Sequence, residues 1–308
     1  MPQVIAVGEA LTDMIRQPNH QWLQIPGGAP WNVARTLAAW ACRSAFAGAV
    51  SSDLFGDEII KASRNAGLDL RFMQKVTRPP LLAFVHQVAP PDYFFAGGDS
   101  ADLYFDPQLL PQNWNGALQW AHFGGISLSR QPLCETLLGM ARSLKQQGVK
   151  ISYDPNYRKL MGEDYDDILF EMCQVAHVIK VSSEDLCGLF RTRDEAGALR
   201  ELRRLAPQAA IMHSLGASGA RLLHESGEWI SRPPQIKVVD TVGAGDAAMA
   251  GLLFSLLHFP DRDWDEHLQI AVAAGSASCQ YAGAQAPALS RVQQVLQQML
   301  LRMTPQRA

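Results

Sequence analysis

Asp240-Thr241-Val242-Gly243-Ala244-Gly245-Asp246 sets two carboxylates and two glycines between an apolar β-branched run and a helix of small apolar residues. Ile236-Lys237-Val238-Val239 reads as a strand, and Ala247 to Phe254 reads as a buried helix. The loop thus opens a helix N-terminus. There the backbone N–H groups of Gly243, Ala244 and Gly245 can point at an anion, and glycine lets it approach the main chain. A fixed negative charge beside a bound phosphate repels it, so Asp246 fits as a general base toward a neighbouring hydroxyl. Two plainer readings stand beside this one: Asp246 as an acid favoured by the helix dipole, and glycines that only shape a turn. Gly243-x-Gly245-x-x-Ala248 also matches the dinucleotide fingerprint, but the residues beyond Pro260 read as helix where that fold needs another strand. A Walker A loop is excluded because no Gly-Lys dipeptide occurs in the chain.

A second set stands near the start. Gly27-Gly28-Ala29-Pro30-Trp31-Asn32 leads from a glycine pair into a helix, and Asp13 lies at the end of the first strand region. Asp and Asn side chains are the acceptors and donors that a polyol needs, and in a doubly wound sheet ligands collect at the carboxyl ends of the strands. Taken singly, Asp13 is equally a turn aspartate and Asn32 equally a helix N-cap.

The elements that must position these residues are legible in the pattern. The 308 residues, 47% hydrophobic and 19% charged, suffice for a large α/β domain plus a small appendage. Val4-Ile5-Ala6-Val7 reads as a strand. From about Pro111 helices and strands alternate: a helix from Pro132 to Gln147 closed by Gly148, a strand Val149 to Tyr153, a strand Val178 to Val181, a helix Asp194 to Leu205 and a strand Ala209 to Ser214. This alternation predicts a doubly wound, mostly parallel sheet flanked by helices. Leu81 to Val88 and Tyr93 to Phe95, separated by Ala89-Pro90-Pro91-Asp92, read as a hairpin that is either a lid or an edge extension of the main sheet. Ser290 to Arg302 reads as a closing helix.

Composition narrows the function. A net charge of −3 with no basic run leaves no footprint for nucleic acid or anionic lipid. Five scattered cysteines without C-x-x-C spacing point away from disulfides and structural zinc and toward a reducing cytosol, and no signal peptide is visible. The longest apolar run, around Ala247 to Leu257, is too short to span a bilayer.

Together the two motifs resemble the signatures of the ribokinase-like sugar kinases, the PfkB family. Ala96-Gly97-Gly98-Asp99-Ser100-Ala101-Asp102, His122-Phe123-Gly124-Gly125-Ile126-Ser127-Leu128 and Asp154-Pro155-Asn156-Tyr157-Arg158 look most like the fructokinase branch. The resemblance implies one kinase domain over 1–308 with a small β lid drawn from segments within about 10–30 and 80–105. It implies that Asp246 is the base, that Gly243, Ala244 and Gly245 form the anion hole, and that Asp13, Gly27, Gly28 and Asn32 hold the sugar. Arg158 would lie over sugar and phosphates, where a forked guanidinium suits oxygen anions; alone, it is equally a surface ion-pair partner. Lys180, Asp185 and the Ser214-Leu215-Gly216-Ala217-Ser218-Gly219 turn would lie along ATP.

Departures from the pattern keep some assignments open. Where relatives carry N-x-x-E this chain has Ser182-Ser183-Glu184-Asp185, so either Asp185 or Glu184 orients magnesium through water. Asp240 and Val242 would supply oxygens to potassium. A helix is read from Ile270 to Ala284, with Val272 where relatives place a polar residue near adenine. The expected activity is ATP-dependent phosphorylation of a sugar hydroxymethyl group, fructose first, with an aminoimidazole riboside as competitor; an NAD-dependent dehydrogenase and a non-catalytic sugar sensor are the readings from other classes. Phe95, Tyr104 and Phe105 read as core, dimer or base-stacking residues, and a homodimer through the lid is compatible with them.

Overall fold

Strand β1 (Val4–Val7) alternates its side chains between two cores, as the two-residue period of an extended strand requires. Ile5 and Val7 enter one core with Ala121, Phe123, Ile151 and Ile179, while Val4 enters the other with Trp120, Val178 and Met212. A sheet buried on both faces is the result, and it explains why its strands are uniformly apolar. The computed structural model describes residues 1–88 and 91–303.

In chain order the elements after β1 are β2 (Leu11–Arg16), β3 (Trp22–Gly27), α1 (Ala29–Ala39), β4 (Ser44–Ser51), α2 (Leu54–Ala66), β5 (Met73–Val76), β6 (Leu82–Val88) and β7 (Pro91–Ala96). They continue with β8 (Trp120–Gly124), α3 (Leu133–Gln146), β9 (Lys150–Asp154), α4 (Asp166–Val175), β10 (Val178–Ser182), α5 (Ser183–Leu189), α6 (Glu195–Leu205) and β11 (Ala210–Ser214). The chain closes with β12 (Ala220–His224), β13 (Gly227–Ser231), α7 (Ala244–His258), α8 (Trp264–Ser278) and α9 (Leu289–Met303).

Among the described residues the main sheet has nine strands in the order β13-β12-β11-β10-β9-β8-β1-β4-β5. All neighbours from β5 to β11 run parallel, and β12 and β13 finish the edge antiparallel. The strand order reverses between β1 and β8, so a crevice opens above the carboxyl ends there. Helices α1, α7, α8 and α9 pack with one core, and α3, α4 and α6 with the other.

The predicted strands and helices from Val4 to Leu205 that the alternation identified lie within two residues of their observed bounds. The hairpin is part of a separate four-stranded sheet ordered β3-β2-β6-β7, not an edge extension of the main one. Its connection at Ala89 and Pro90 lies outside the described residues, as does the end of the chain beyond Met303.

Two expectations are corrected. Ile236 to Val239 is not a strand: among the described residues no neighbour offers it a ladder, and the backbone N–H groups of Val239 and Asp240 instead donate to the Cys279 carbonyl at 2.8 and 3.3 Å. That contact caps α8, which ends at Ser278 rather than running to Ala284. β-branched residues favour an extended backbone, but without a partner strand they make a surface strap.

Candidate active site

Helix α7 begins where the strap ends. Its N-cap, Gly243, has φ +77°, and a Cβ added there would stand 2.6 Å from the Cβ of Ala284, so both the backbone angle and the packing call for glycine. The Ala244 N–H is drawn back to the Thr241 carbonyl at 3.2 Å. Among the described residues nothing accepts from the N–H groups of Gly243, Gly245 or Asp246. The turn that opens α7 thus engages the Ala244 N–H and leaves those of Gly243, Gly245 and Asp246 open at the helix N-terminus.

Asp246 is the third residue of α7, and its carboxylate does not fold back to cap the helix. It accepts instead from Asn32 Nδ2 at 2.8 Å, across 214 residues of sequence. Asn32 is thus neither an N-cap nor free to face solvent; it stands in the first turn of α1, 6% exposed, with Gly28 at the N-cap. Burial raises the Asp246 pKa to about 7, moderated by the Asn32 hydrogen bond and by the charges of Lys180 and Arg158, and reinforced by Asp154.

Lys180 on β10 donates to Asp154 Oδ2 on β9 at 2.7 Å, with both side chains buried. A Cβ on Gly245 would come within 3.1 Å of Lys180 Nζ, which places this ammonium against the first turn of α7. Beyond β9 the chain turns through Asn156, at φ +46°, and the Arg158 guanidinium donates to Asn156 Oδ1 at 2.7 Å and to the Asn156 and Tyr157 carbonyls. The charge of Arg158 reaches both Asp246 and Asp13.

Asp13 sits on β2 of the small sheet, directly paired with Ile25 on one side and Ala83 on the other. A Cβ on Gly27 would overlap its Oδ2, so the glycine pair makes room for the carboxylate as well as turning the chain. Desolvation lifts the Asp13 pKa to about 6, and Arg158 lowers it. The first motif, the second motif and the Asp154–Arg158 run thus converge on one crevice.

Asp185 has a structural duty that the sequence did not disclose. Its Oδ2 accepts from the Ser182 N–H at 2.6 Å, completing the capping box of α5, and its Oδ1 accepts from the Tyr157 N–H at 2.7 Å, pinning the loop that carries Arg158. Glu184 is exposed. Ser214 ends β11, Leu215 N–H donates to the Gly219 carbonyl, and Gly216 is exposed at the tip of the turn, one strand beyond Lys180. Asp240 accepts from the N–H groups of Val242 and Gly283 at 3.0 and 2.8 Å.

Two participants escaped the sequence reading. Arg35 donates to Asn32 Oδ1 at 3.2 Å and to the Ala284 carbonyl; its position three residues after Asn32 on a helix was the available signal. Glu9, 2% exposed at the carboxyl end of β1, accepts from the Ser127 hydroxyl and N–H, and burial lifts its pKa to about 7. A glutamate just past an apolar strand carried no pattern to mark it.

Among the described residues no cluster of three or more His, Cys, Asp or Glu is built to hold a metal, and no helix is long and apolar enough to cross a membrane. Compared with known proteins, residues 1–291 match the model of the pfkB family carbohydrate kinases. The chain is 30% identical to an aminoimidazole riboside kinase of Salmonella typhimurium, over 91% of this chain and 88% of that one. It is likewise 30% identical to a fructokinase of the same species, over 82% and 84%. Its fold superposes on fructokinase with bound ATP from Xylella fastidiosa with a TM-score of 0.87 at 25% identity, covering 96% of this chain and 99% of that one. It superposes on the Salmonella enterica aminoimidazole riboside kinase, complexed with aminoimidazole riboside and an ATP analogue, with a TM-score of 0.84 at 28% identity over 95% and 99%. The motifs, the ribokinase-like fold and a family match over nearly the whole chain lead to one conclusion: this protein belongs to the pfkB family of carbohydrate kinases.

Proposed function

We propose that residues 1–308 act as one ATP-dependent kinase domain that transfers the γ-phosphoryl group to a hydroxymethyl oxygen of a sugar, fructose first, beneath the small β lid. The observation that carries this reading is Asp246, a carboxylate with a pKa near 7 at a helix N-terminus that has unclaimed N–H groups beside it. A base with its pKa near the working pH couples adequate ionisation to adequate proton affinity. Asp246 takes the hydroxyl proton as the oxygen attacks, and the N–H groups of Gly243 and Gly245 meet the charge on the transferred group, with Ala244 shaping the turn. Asp13, Gly27, Gly28 and Asn32 hold the sugar; Arg158 spans sugar and phosphates; Lys180, Asp185, Ser214, Gly216 and Gly219 follow the nucleotide.

Magnesium would neutralise the phosphates. It keeps several waters and takes only one or two carboxylates, so the absence of a three-residue cage among the described residues suits it. Each Asp185 oxygen retains a lone pair beyond its backbone bond, and Glu184 is exposed, so both acids remain available to bound water. The same lone-pair argument admits potassium at Asp240 and the Val242 carbonyl. Trp22 and Phe94, 42% and 55% exposed on the face of the small sheet opposite Asp13, support a homodimer through the lid. The reduced state of the five cysteines fits a cytoplasmic location.

A riboside is the second reading, and one observation favours it. The row across the small sheet reads Ile25, Asp13, Ala83, Phe95, so the single carboxylate is set in an otherwise apolar face that a flat base could cover. Measuring kcat/KM for fructose, ribose, glucose and aminoimidazole riboside at fixed ATP and magnesium tests both. A riboside advantage of about tenfold or more, about 1.4 kcal/mol in transition-state binding, moves the assignment to the riboside. Sugar-dependent melting with no ATP consumption across the panel would leave a sensor in place of a kinase.

A further inference from the structure

Asn32 presents its amide to Asp246, and the direction of that amide decides which protonation state of the base is favoured. An Nδ2–H donor stabilises the carboxylate, whereas an Oδ1 acceptor stabilises the protonated acid. The group on the other side of the amide makes the choice. Arg35 Nη2 lies 3.2 Å from Asn32 Oδ1, and a guanidinium has donors only, so it holds the oxygen toward itself and turns the Nδ2–H to Asp246.

Arg35 is itself held on three sides. Its guanidinium lies 4.3 Å over the Trp31 ring, Trp31 is fully buried, and Nη2 also reaches the Ala284 carbonyl. Ala284 backs Gly243, and the neighbouring Gly283 N–H is tied to Asp240, so the clip joins α1 to the segment behind the anion-facing turn. Arg35 Nε is buried and has no hydrogen-bond partner, a cost that a residue serving only surface solubility would not bear.

We propose that Arg35 is a positioning residue that keeps Asp246 competent as a base by fixing the Asn32 amide, and that it does so while clipping α1 to the 283–284 segment. The proposal rests on the reading of Asp246 as the kinase base. Around that carboxylate stand Lys180 from β10, Asp154 from β9, Arg158 from the following loop and Arg35 from α1; only Arg35 acts through the amide. Without it, Asn32 is free to flip and offer Oδ1 to a protonated Asp246, and loss of a positive charge acts in the same direction. Both effects raise the pKa of the base.

The test compares Arg35→Gln, which removes the charge but keeps most of the stem over Trp31, with Arg35→Lys, which keeps the charge as a point donor. In Arg35→Gln the acid limb of the pH profile of kcat/KM should move up by about half a pH unit or more, with a loss of about threefold or more at pH 6.5. In Arg35→Lys the limb should stay in place while kcat/KM falls by about threefold or more, since an ammonium has no planar group to rest on the Trp31 ring and so loses the support that aims the Arg35 donor at Asn32 and Ala284. Wild-type limbs in a folded Arg35→Gln, or wild-type kcat/KM in Arg35→Lys, overturn the proposal. A carbon-detected NMR titration of the Asp246 carboxyl, assigned with Asp246→Asn, reads the same shift without turnover. It therefore separates failure of this inference from failure of the kinase reading: a raised carboxyl pKa in Arg35→Gln supports the clip even if no sugar is phosphorylated, and an unmoved one overturns it.

Discussion

Asp246 stands between opposing demands. Burial favours its neutral form and lifts its pKa to about 7, while Asn32, Lys180 and Arg158 favour the charged form that can accept a proton. The balance predicts that phosphorylation declines as pH falls through about 7, and that the decline is abolished together with most of the activity in Asp246→Asn. That variant keeps the size and a hydrogen-bonding oxygen, so sugar affinity should change little while kcat falls by about a hundredfold or more. A steady-state comparison of kcat and KM checks this; turnover within a few-fold of wild type would remove Asp246 from the role of base.

At the scale of elements, the site exists because two sheets meet. Asp13 belongs to β2 of the small sheet, whereas Asp246 heads a helix on the main one, and Arg158 lies within electrostatic reach of both. Gly27 is the close approach that permits this, since any Cβ there displaces the Asp13 carboxylate. Gly27→Ala should therefore leave the melting temperature nearly unchanged and raise KM for the sugar by about tenfold, with a smaller effect on kcat, because ground-state holding rather than the base is disturbed. A shift in kcat alone would argue that Asp13 does not hold the sugar. Asp185 works at the same scale. Asp185→Ala removes acceptors from the Ser182 and Tyr157 N–H groups together, so it should cost about 1–3 kcal/mol and release the Arg158 loop, read as a lowered melting temperature with raised protease sensitivity near Tyr157.

For the whole molecule, the raised carboxylates tie stability to pH. Asp246 and Glu9 have folded pKa values near 7 and Asp13 near 6, all above their unfolded values, so their ionisation opposes folding. That cost is absent below the unfolded carboxylate range and complete above the folded pKa, which means stability from these groups falls as pH rises from about 4 to 7. Buried His122, held neutral with its pKa lowered to about 3, acts in the opposite direction over part of the same window. The difference between variant and wild type isolates one group. Asp246→Asn should melt with the wild type near pH 4 and about 2 °C or more above it at pH 8, since the amide carries no charge to desolvate. A pH-independent difference would mean that the carboxylate is not desolvated in solution.

What the sequence determined by itself was local or periodic. Apolar runs of four or five residues between helical patterns made the parallel sheet legible, and glycines beside Asp and Asn marked the two ends of the crevice. The tertiary structure decided what depends on contacts between distant residues. Asn32 and Asp246 are 214 positions apart, and only folding brings them into hydrogen-bond contact. The strap at Ile236–Val239 has strand composition but no ladder, because strand formation needs a partner that composition does not supply. The Ala244 N–H is engaged in a turn bond and Asp185 anchors the Arg158 loop, neither of which composition discloses, since hydrogen-bond accounting closes only in three dimensions. The pKa of Asp246 is the plainest case: a carboxylate near 4 in the unfolded chain stands near 7 because folding takes it out of water faster than its neighbours compensate.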